Sequence, residues 1–269
     1  TTTPGGTIID VVEPEWRDVP ASDITITNEV ANKEGNVVIK FKGTDKYFKE
    51  TTLTPASAYE IITKIDGTAV NNITKTLVGP TNLPNGNGVE YTLTLTNFGD
   101  NSGELVVTLP PNVLKDDAGL WNAAKDIPVG RVDFIEPEPW KVITEGTTYS
   151  SIDRTANEVT FKIRGYDKFL DKDSDITKKL DSANKNDYIT IYKDDTAVDS
   201  AEKANLIKSI TKVEGTPSTT LEYLVVLHNF GSYEGEVSIE VAAETLEDQS
   251  DNKNVISPKQ GIGNINWVE

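Results

Sequence analysis

The stretch YTLTLTNFG, residues 91–99, decides the fold of this chain. Its first six residues alternate between apolar side chains and threonine, so Tyr91, Leu93 and Leu95 share one face. A period of two residues is typical of a strand that is buried on one side only. Phe98 falls one residue out of the alternation and is followed by glycine. We therefore predict a bulge or turn, in which the glycine takes the backbone angle that brings Phe98 beneath the sheet.

The same alternation occurs in other segments, which are separated by glycine, asparagine and aspartate. The clearest apolar rows are Val37, Ile39 and Phe41, with Lys40 and Lys42 on the opposite face, and Leu105, Val107 and Leu109. Only residues 55–62 and 200–207 show a weak helical pattern. The sequence therefore predicts an all-β fold of antiparallel, half-buried strands.

The second half of the chain repeats the first half. GTDK at residues 43–46 matches GYDK at 165–168, and the NFG of residues 97–99 recurs at 229–231. The offset between matching positions is constant within strands and grows from one strand to the next. Loop insertions in a duplicated domain produce this pattern, because loops tolerate length changes and paired strands do not. We predict two all-β domains of roughly 125 residues each, most simply sandwiches.

The composition excludes several kinds of partner and chemistry. With 26 basic and 43 acidic residues, the net charge of −17 opposes binding to nucleic acid or to an anionic membrane surface. The absence of cysteine excludes disulfides, thiolate catalysis and cysteine-ligated zinc. No apolar run approaches the roughly 20 residues of a membrane helix, so we expect no membrane insertion in this segment. Because it begins at Thr1 and lacks methionine, we expect it to be cut from a longer chain or processed.

A turn and a junction carry a family resemblance. Asp116-Asp117-Ala118-Gly119 is similar to the D-x-A-G-N turn of bacterial immunoglobulin-like (Big-type) domains, although Leu120 stands where asparagine is usual. In the second copy, DQSDN at residues 248–252 keeps the aspartate and the asparagine but not Ala-Gly. Residues 132–137 lead an apolar, acidic segment into a proline, like the junctions of those domains. The chain resembles such tandem repeats over nearly its whole length.

This resemblance implies two tandem immunoglobulin-like β-sandwich domains, residues 14–136 and 137–269. Each would end in a last strand written as a five-residue marker, at 132–136 and 265–269, and an earlier marker occupies 9–13. Residues 1–13 would be the tail of a preceding repeat or a lead-in strand, and the chain would stop at a natural joint. The implied location is extracellular, at a bacterial cell surface or cell wall, with neighbouring repeats of the same polypeptide as partners.

Catalytic motifs are scarce. His228 is the only histidine, and it matches Thr96 of the first copy, on the polar face of a predicted strand. Catalytic triads and histidine-rich metal sites are therefore excluded. Paired carboxylates would suffice for glycosidase chemistry, but nothing in the pattern singles out one pair among so many acids. We predict that the chain is not an enzyme.

We expect no cofactor, and calcium is the one alternative that the sequence leaves open. Asp171, Asp173 and Asp175 alternate as D-x-D-x-D, the spacing of an oxygen cage for a hard cation. Ile176 stands where a helix-loop-helix calcium loop needs glycine, and the first copy lacks the motif. Asp116 and Asp117, or Asp248 and Asp251, could add ligands near a domain junction. Two interpretations of the D-x-D-x-D run remain open, a calcium site confined to domain 2 and a solvated acidic loop.

Two further groups of residues have alternative interpretations. The repeated motifs Asp45-Lys46-Tyr47 and Asp167-Lys168-Phe169 predict a charged strand end followed by an aromatic core residue, or a contact surface, or the lysine of an isopeptide cross-link. Lys40 and Lys162 are further candidates for that cross-link, although alternation places them on the outward face. Trp16, Trp121, Trp140 and Trp267 lie near junctions or the final turn, so they either wedge adjacent domains together or stack on sugars. Trp121 is the candidate ligand-binding residue.

The leading hypothesis is a non-catalytic stalk or array segment of a bacterial surface protein, of adhesin or S-layer type. The Glu136-Pro137-Glu138-Pro139 junction is short and stiff, which favours a spacing role. One alternative is a module that binds a cell-wall or host glycan or a host protein. Another is an accessory domain pair of a large secreted carbohydrate-active enzyme.

Overall fold

A computed structural model describes residues 10–27, 35–150 and 158–265 of the chain. The chain divides into two compact units, Thr1–Ile135 and Glu136–Glu269, which we call unit 1 and unit 2. Each unit is built mainly from strands that pair antiparallel with their neighbours.

Unit 1 contains short and long strands with two 3-10 turns, Ala21–Asp23 and Pro55–Glu60. Its strands are β1 (Glu15–Trp16), β2 (Ile24–Thr27), β3 (Asn36–Thr44), β4 (Phe48–Thr51), β5 (Ile62–Ile65), β6 (Thr68–Ala69), β7 (Thr74–Asn82), β8 (Gly88–Thr96), β9 (Gly103–Leu109), β10 (Leu114–Asp116) and β11 (Lys125–Val132).

The strand order of unit 1 defines its fold. One sheet has the order β1-β3-β8-β7, with β2 also paired to β3, and the other has the order β11-β9-β5-β6. Strands β4 and β10 form a small ladder of their own. In chain order these are the A-B-E-D and G-F-C arrangements of immunoglobulin domains. Unit 1 is therefore an immunoglobulin-like β-sandwich.

Unit 2 contains one helix, α1 (Ser200–Leu206), in its described part, and 3-10 turns at Thr177–Asp181 and Lys185–Tyr188. Its strands are β12 (Glu138–Ser150), β13 (Glu158–Tyr166), β14 (Ile189–Lys193), β15 (Thr196–Ala197), β16 (Ile207–Lys212), β17 (Thr220–Leu227), β18 (Gly235–Val241) and β19 (Gln260–Ile265).

The sheets of unit 2 repeat those of unit 1. Their orders are β12-β13-β17-β16 and β15-β14-β18-β19. Strand β12 contacts β13 in two stretches separated by an irregularity, as β1 and β2 both contact β3 in unit 1. The two weakly helical segments of the sequence become a 3-10 turn and α1. The prediction of a duplicated, all-β, immunoglobulin-like sandwich fold is confirmed.

Alternation explains why each sandwich has one core. Val37, Ile39 and Phe41 of β3 are buried, whereas Lys40 and Lys42 between and beyond them are exposed. The buried side chains of both sheets in unit 1 belong to a single apolar cluster, and unit 2 has its own. Removal of these two faces from water is the main favourable contribution to folding.

The turn after β8 brings Phe98 into the core. Asn97 and Gly99 adopt the left-handed conformation, with φ of 61° and 58°, and the Phe98 side chain is fully buried. Its ring packs 4.9 Å from the ring of Phe134. The prediction for Phe98 is confirmed. We expected the left-handed conformation only at Gly99, and Asn97 adopts it as well. Unit 2 repeats the arrangement around Phe230.

Two tryptophans occupy positions that the sequence did not predict. Trp16 and Trp140 are 2% and 0% exposed and belong to the cores of their own units. Trp16 packs against Phe41 with ring centroids 5.5 Å apart, and its indole N–H donates to the Pro110 carbonyl at 3.0 Å. The prediction of wedges between domains is therefore wrong for both residues, because each ring and its N–H group are satisfied within one unit. Trp267 lies outside the described residues.

The marker segments are only partly strands. Strand β11 ends at Val132, and the next residues have no regular secondary structure. The Asp133 carboxylate accepts a hydrogen bond from the Ile135 N–H at 3.3 Å, which turns the chain out of the ladder. The prediction that residues 132–136 form a last strand is therefore wrong beyond Val132. Residues 9 and 266–269 of the other markers lie outside the described part of the chain.

We predict that Trp16→Ala lowers the free energy of unfolding of unit 1 by about 3–5 kcal/mol, because it leaves a cavity in the core and removes the donor to Pro110. The half-buried Trp121 is the matched control, and Trp121→Ala should cost at most about 1 kcal/mol. Urea unfolding of the two variants measures the difference. Equal, small effects would show that Trp16 is not a core residue.

Candidate functional site

Three carboxylates converge at the end of unit 1 where β1 begins and β3 ends. Asp10, Asp45 and Asp116 each contribute a carboxylate oxygen, and these three oxygens lie within 4.8 Å of one another. We call this group the Asp10 cluster. Asp10 and Asp45 are half-buried, whereas Asp116 is fully buried.

Asp45 is held by the turn that follows β3. Its backbone N–H donates to the Asn87 carbonyl at 3.0 Å, and its Oδ1 accepts the Tyr47 N–H at 2.6 Å. This side-chain bond to the residue two positions on is the turn geometry that aspartate favours. Tyr47 and its counterpart Phe169 are only half-buried. The prediction of an aromatic core residue in this motif is therefore wrong. The aspartate of the motif, Asp45, is the residue that contributes to the Asp10 cluster.

Asp116 is held by the turn that follows β10. Its Oδ1 accepts the Leu120 N–H at 2.8 Å, and Gly119 closes the turn with a φ of 86°. Asn122 fixes the base of this turn, since its buried Oδ1 accepts the N–H groups of Val113 and Leu114 at 2.8 and 2.7 Å. The carboxylate of Asp116 therefore has little freedom to move towards water.

The second oxygens of two of these carboxylates are not satisfied. Oδ2 of Asp10 and Oδ2 of Asp116 are inaccessible to water and accept no hydrogen bond from any described residue. A buried carboxylate oxygen without a donor is unfavourable, and an adjacent carboxylate makes it more so. The arrangement therefore suits a positively charged ligand.

Unit 2 has a related pair of carboxylates at the corresponding end. Asp167 follows β13 as Asp45 follows β3, and Asp248 corresponds to Asp116. Burial raises the pKa of Asp167. Burial also raises the pKa of Asp248 to about 6, with a further contribution from the nearby Asp167 carboxylate.

One residue distinguishes the two turns. In unit 2, Asn252 donates its side-chain amide to Oδ2 of Asp248 at 2.6 Å, while its backbone N–H donates to Oδ1 at 2.9 Å. Leu120 holds the same place in unit 1, where its backbone N–H makes the matching bond and its apolar side chain has no donor for Oδ2 of Asp116. The leucine at this position, visible in the sequence, thus leaves an oxygen without a partner in unit 1.

Sequence reasoning named Asp116 as an additional calcium ligand but did not bring Asp10, Asp45 and Asp116 together. A signal was nevertheless present, because the sequence repeats these three aspartates: Asp133, Asp167 and Asp248 match Asp10, Asp45 and Asp116. Asn122 likewise recurs as Asn254, whose Oδ1 accepts the N–H groups of Thr245 and Leu246. Polar residues that recur at corresponding loop positions of a duplicated domain are therefore a signal that those loops lie close together.

The predicted calcium residues Asp171, Asp173 and Asp175 lie in a turn of unit 2. All three are described, but their carboxylates are not within 4.8 Å of one another. Oδ1 of Asp171 accepts the Asp173 N–H at 2.9 Å, and the Asp173 side chain is 98% exposed, with Lys178 at 3.7 Å. Their role in calcium binding stays a prediction.

Trp121 is half-buried, and one face of its indole ring is covered. The Lys115 ammonium lies 5.0 Å from the ring centroid, and the two residues form an isolated backbone bridge. A sugar stacking on this ring would have to use the other face or displace the lysine. Ligand binding by Trp121 stays a prediction.

The lysines considered for an isopeptide cross-link are not buried. Lys40, Lys46 and Lys168 are exposed and Lys162 is half-exposed, whereas the reaction requires a buried lysine beside a carboxylic acid.

His228 follows β17 and is half-buried, and its ring shares a hydrogen bond with the amide of Asn229 at 3.2 Å. No helix within the described residues is long and apolar enough to cross a membrane.

No protein-family model and no curated protein matches this sequence. Among solved structures, the chain is similar to the titin Ig tandem domains A164-A165, with 8% identity, coverage of 93% of this chain and 94% of that one, and a TM-score of 0.28. It is also similar to the N-terminal eight Ig domains of the Down syndrome cell adhesion molecule, with 12% identity, coverage of 90% and 26%, and a TM-score of 0.23. A conserved domain protein from Bacillus anthracis has 8% identity, coverage of 89% and 85%, and a TM-score of 0.20.

We predict that the free energy of unfolding of the wild-type chain falls, relative to that of the Asp248→Asn variant, as the pH rises from about 4 to about 6. In the unfolded chain Asp248 loses its proton near the ordinary value of 3.8, whereas the folded chain keeps it until about 6. The loss should reach at most about 3 kcal/mol. Urea unfolding at several pH values in metal-free buffer measures it. Asp251→Asn, at an exposed position, is the control, and a difference that does not change with pH would contradict the buried, proton-retaining carboxyl.

Proposed function

We propose that this chain is a non-catalytic segment of a bacterial surface protein, of adhesin or S-layer type, which spaces and stiffens the polypeptide. The observation that carries this proposal is the position of the first and last strands of each sandwich. In unit 1, β1 and β2 belong to one sheet and β11 belongs to the other. In unit 2, β12 and β19 are likewise in opposite sheets.

This placement determines how tension would pass through a unit. A pull on the two ends of unit 1 acts on the ladder between β1, β2 and β3, on the ladder between β11 and β9, and on the core between the sheets. The β11 ladder runs from Lys125 to Val132, and β11 contributes the buried side chain of Ile127 to that core. Force must therefore break many backbone hydrogen bonds and separate packed apolar faces together, which favours resistance to extension.

Composition supports an extracellular setting. The chain has no cysteine to be oxidised and a net charge of −17, which keeps a repetitive array soluble. Proline at residues 137 and 139 restricts the backbone where unit 2 begins. Neighbouring repeats of the same polypeptide are the partners that this role requires.

We predict two discrete unfolding events when single molecules of the whole chain are stretched from their ends. At roughly 3.6 Å of extended chain per residue, each event should release about 45 nm. Ile127→Ala, which removes buried contacts of β11, should lower the force of one event, and Val78→Ala at an exposed position of β7 is the matched control. Extension at low force without discrete events would contradict the spacer function.

A further inference from the structure

We propose that Asp10, Asp45 and Asp116 bind a calcium ion that fastens the segment preceding β1 to the body of unit 1. The three carboxylate oxygens already lie within 4.8 Å of one another. The site differs from the D-x-D-x-D turn of unit 2, and its binding of a cation does not depend on the spacing role.

The cluster concentrates negative charge around a buried carboxylate. Asp116 is fully buried, and Oδ2 of Asp116 and Oδ2 of Asp10 accept no hydrogen bond from the described residues. A buried, hydrogen-bond-deficient carboxylate beside two other carboxylates is stable only if a proton or a cation neutralises it. The turn also aims this carboxylate at the other two, because its Oδ1 is fixed by the Leu120 N–H.

Two basic side chains lie near the cluster without a described hydrogen bond to it. The pKa of Lys46 is raised, chiefly by its interaction with Tyr47 and to a smaller extent by the charge of Asp10. Lys46 and Arg17 line the same surface pocket as Asp10 and Asp45. The exposed Lys46 ammonium lies 5.0 Å from the ring of Tyr47, and Arg17 is paired with Glu15. Neither basic group has a described hydrogen bond to the three carboxylates. The pocket brings solvent to Asp10 and Asp45, from which a small cation would reach the buried Asp116.

The chemistry of the ligands selects calcium. All three are carboxylate oxygens, and the chain's single histidine lies in unit 2, so zinc and copper are disfavoured. Calcium bonds of about 2.4 Å allow opposite ligands to lie about 4.8 Å apart, and six to eight oxygens complete its shell. Magnesium has bonds of about 2.1 Å and demands a nearly ideal octahedron, which three ligands from separate loops satisfy poorly.

The position of the cluster indicates what the ion would do. Asp10 belongs to a segment without regular secondary structure, Asp45 to the turn after β3, and Asp116 to the turn after β10. One ion bound to all three would join the chain that enters the sandwich to two turns at its end. Calcium would thus stabilise the folded unit, because the unfolded chain cannot present the three oxygens together.

Isothermal titration of the whole chain with calcium chloride, with magnesium chloride for comparison, tests the proposal. We expect a calcium dissociation constant of about 10⁻⁴–10⁻³ M or tighter and much weaker magnesium binding. Asp116→Asn, which keeps the acceptor for the Leu120 N–H, should lose one equivalent of bound calcium per chain. The exposed neighbour Asp117→Asn makes the same change in net charge and should retain it. No calcium binding by the wild type, or equal binding by both variants, overturns the proposal.

Thermal unfolding separates ligation from a purely structural role of Asp116. In millimolar calcium, Asp116→Asn should unfold at a temperature lower than that of the wild type by about 5 °C or more. In chelator, the same variant should be at least as stable as the wild type, since it removes one of three clustered charges. A variant that is equally destabilised in both buffers overturns the proposal, because a structural hydrogen bond would not respond to calcium.

Leu120→Asn provides a second test that preserves all three carboxylates. Its side-chain amide should donate to Oδ2 of Asp116, as Asn252 donates to Asp248 in unit 2. We expect this variant to be more stable than the wild type in chelator and to gain less from calcium. A calcium-dependent rise in melting temperature equal to that of the wild type would contradict the role assigned to the unpartnered oxygen.

Discussion

The structure depends on the burial of alternating apolar rows, because each strand can hide only one face from water. In unit 1 the row of Val37, Ile39 and Phe41 from one sheet shares a core with the row of Leu105, Val107 and Leu109 from the other. The two sheets must therefore face each other. Trp16 completes that core, and Trp140 does the same in unit 2.

The same packing fixes the polar groups at the end of each sandwich. Leu114 is buried in the core. Asp116 lies two residues further along the same strand, so its side chain also points into the interior. Asn122 then binds the backbone beside it and prevents the turn from opening. The fold places the carboxylate of Asp116 in the interior. Its Oδ2 has no hydrogen-bond donor among the described residues because residue 120 is leucine, whereas the asparagine at the corresponding position of unit 2 donates to Asp248. A stable scaffold thus presents one electrostatically unfavourable group, which a cation would neutralise.

The sequence predicted what depends on periodicity and repetition. Alternation is local, so it identified the strands, the duplicated fold and the burial of Phe98. The Asp10 cluster depends on three loops that are far apart in the chain, and no local pattern reports their distance. The D-x-D-x-D run of residues 171–175 has the local pattern, but its three carboxylates do not lie within 4.8 Å of one another. Proximity to a junction also misled the interpretation of Trp16 and Trp140, because a residue near a domain end can still point into that domain's core.

The most direct measurement is anomalous X-ray diffraction from crystals of the whole chain grown with calcium chloride. The immunoglobulin-like sandwich with its buried Asp116 predicts an anomalous peak bound by oxygens of Asp10, Asp45 and Asp116, at about 2.3–2.6 Å from each. The same map should show β1 and β11 in opposite sheets of unit 1. Carboxylates that point apart into solvent, or that are satisfied by water or lysine with no anomalous peak between them, would contradict it.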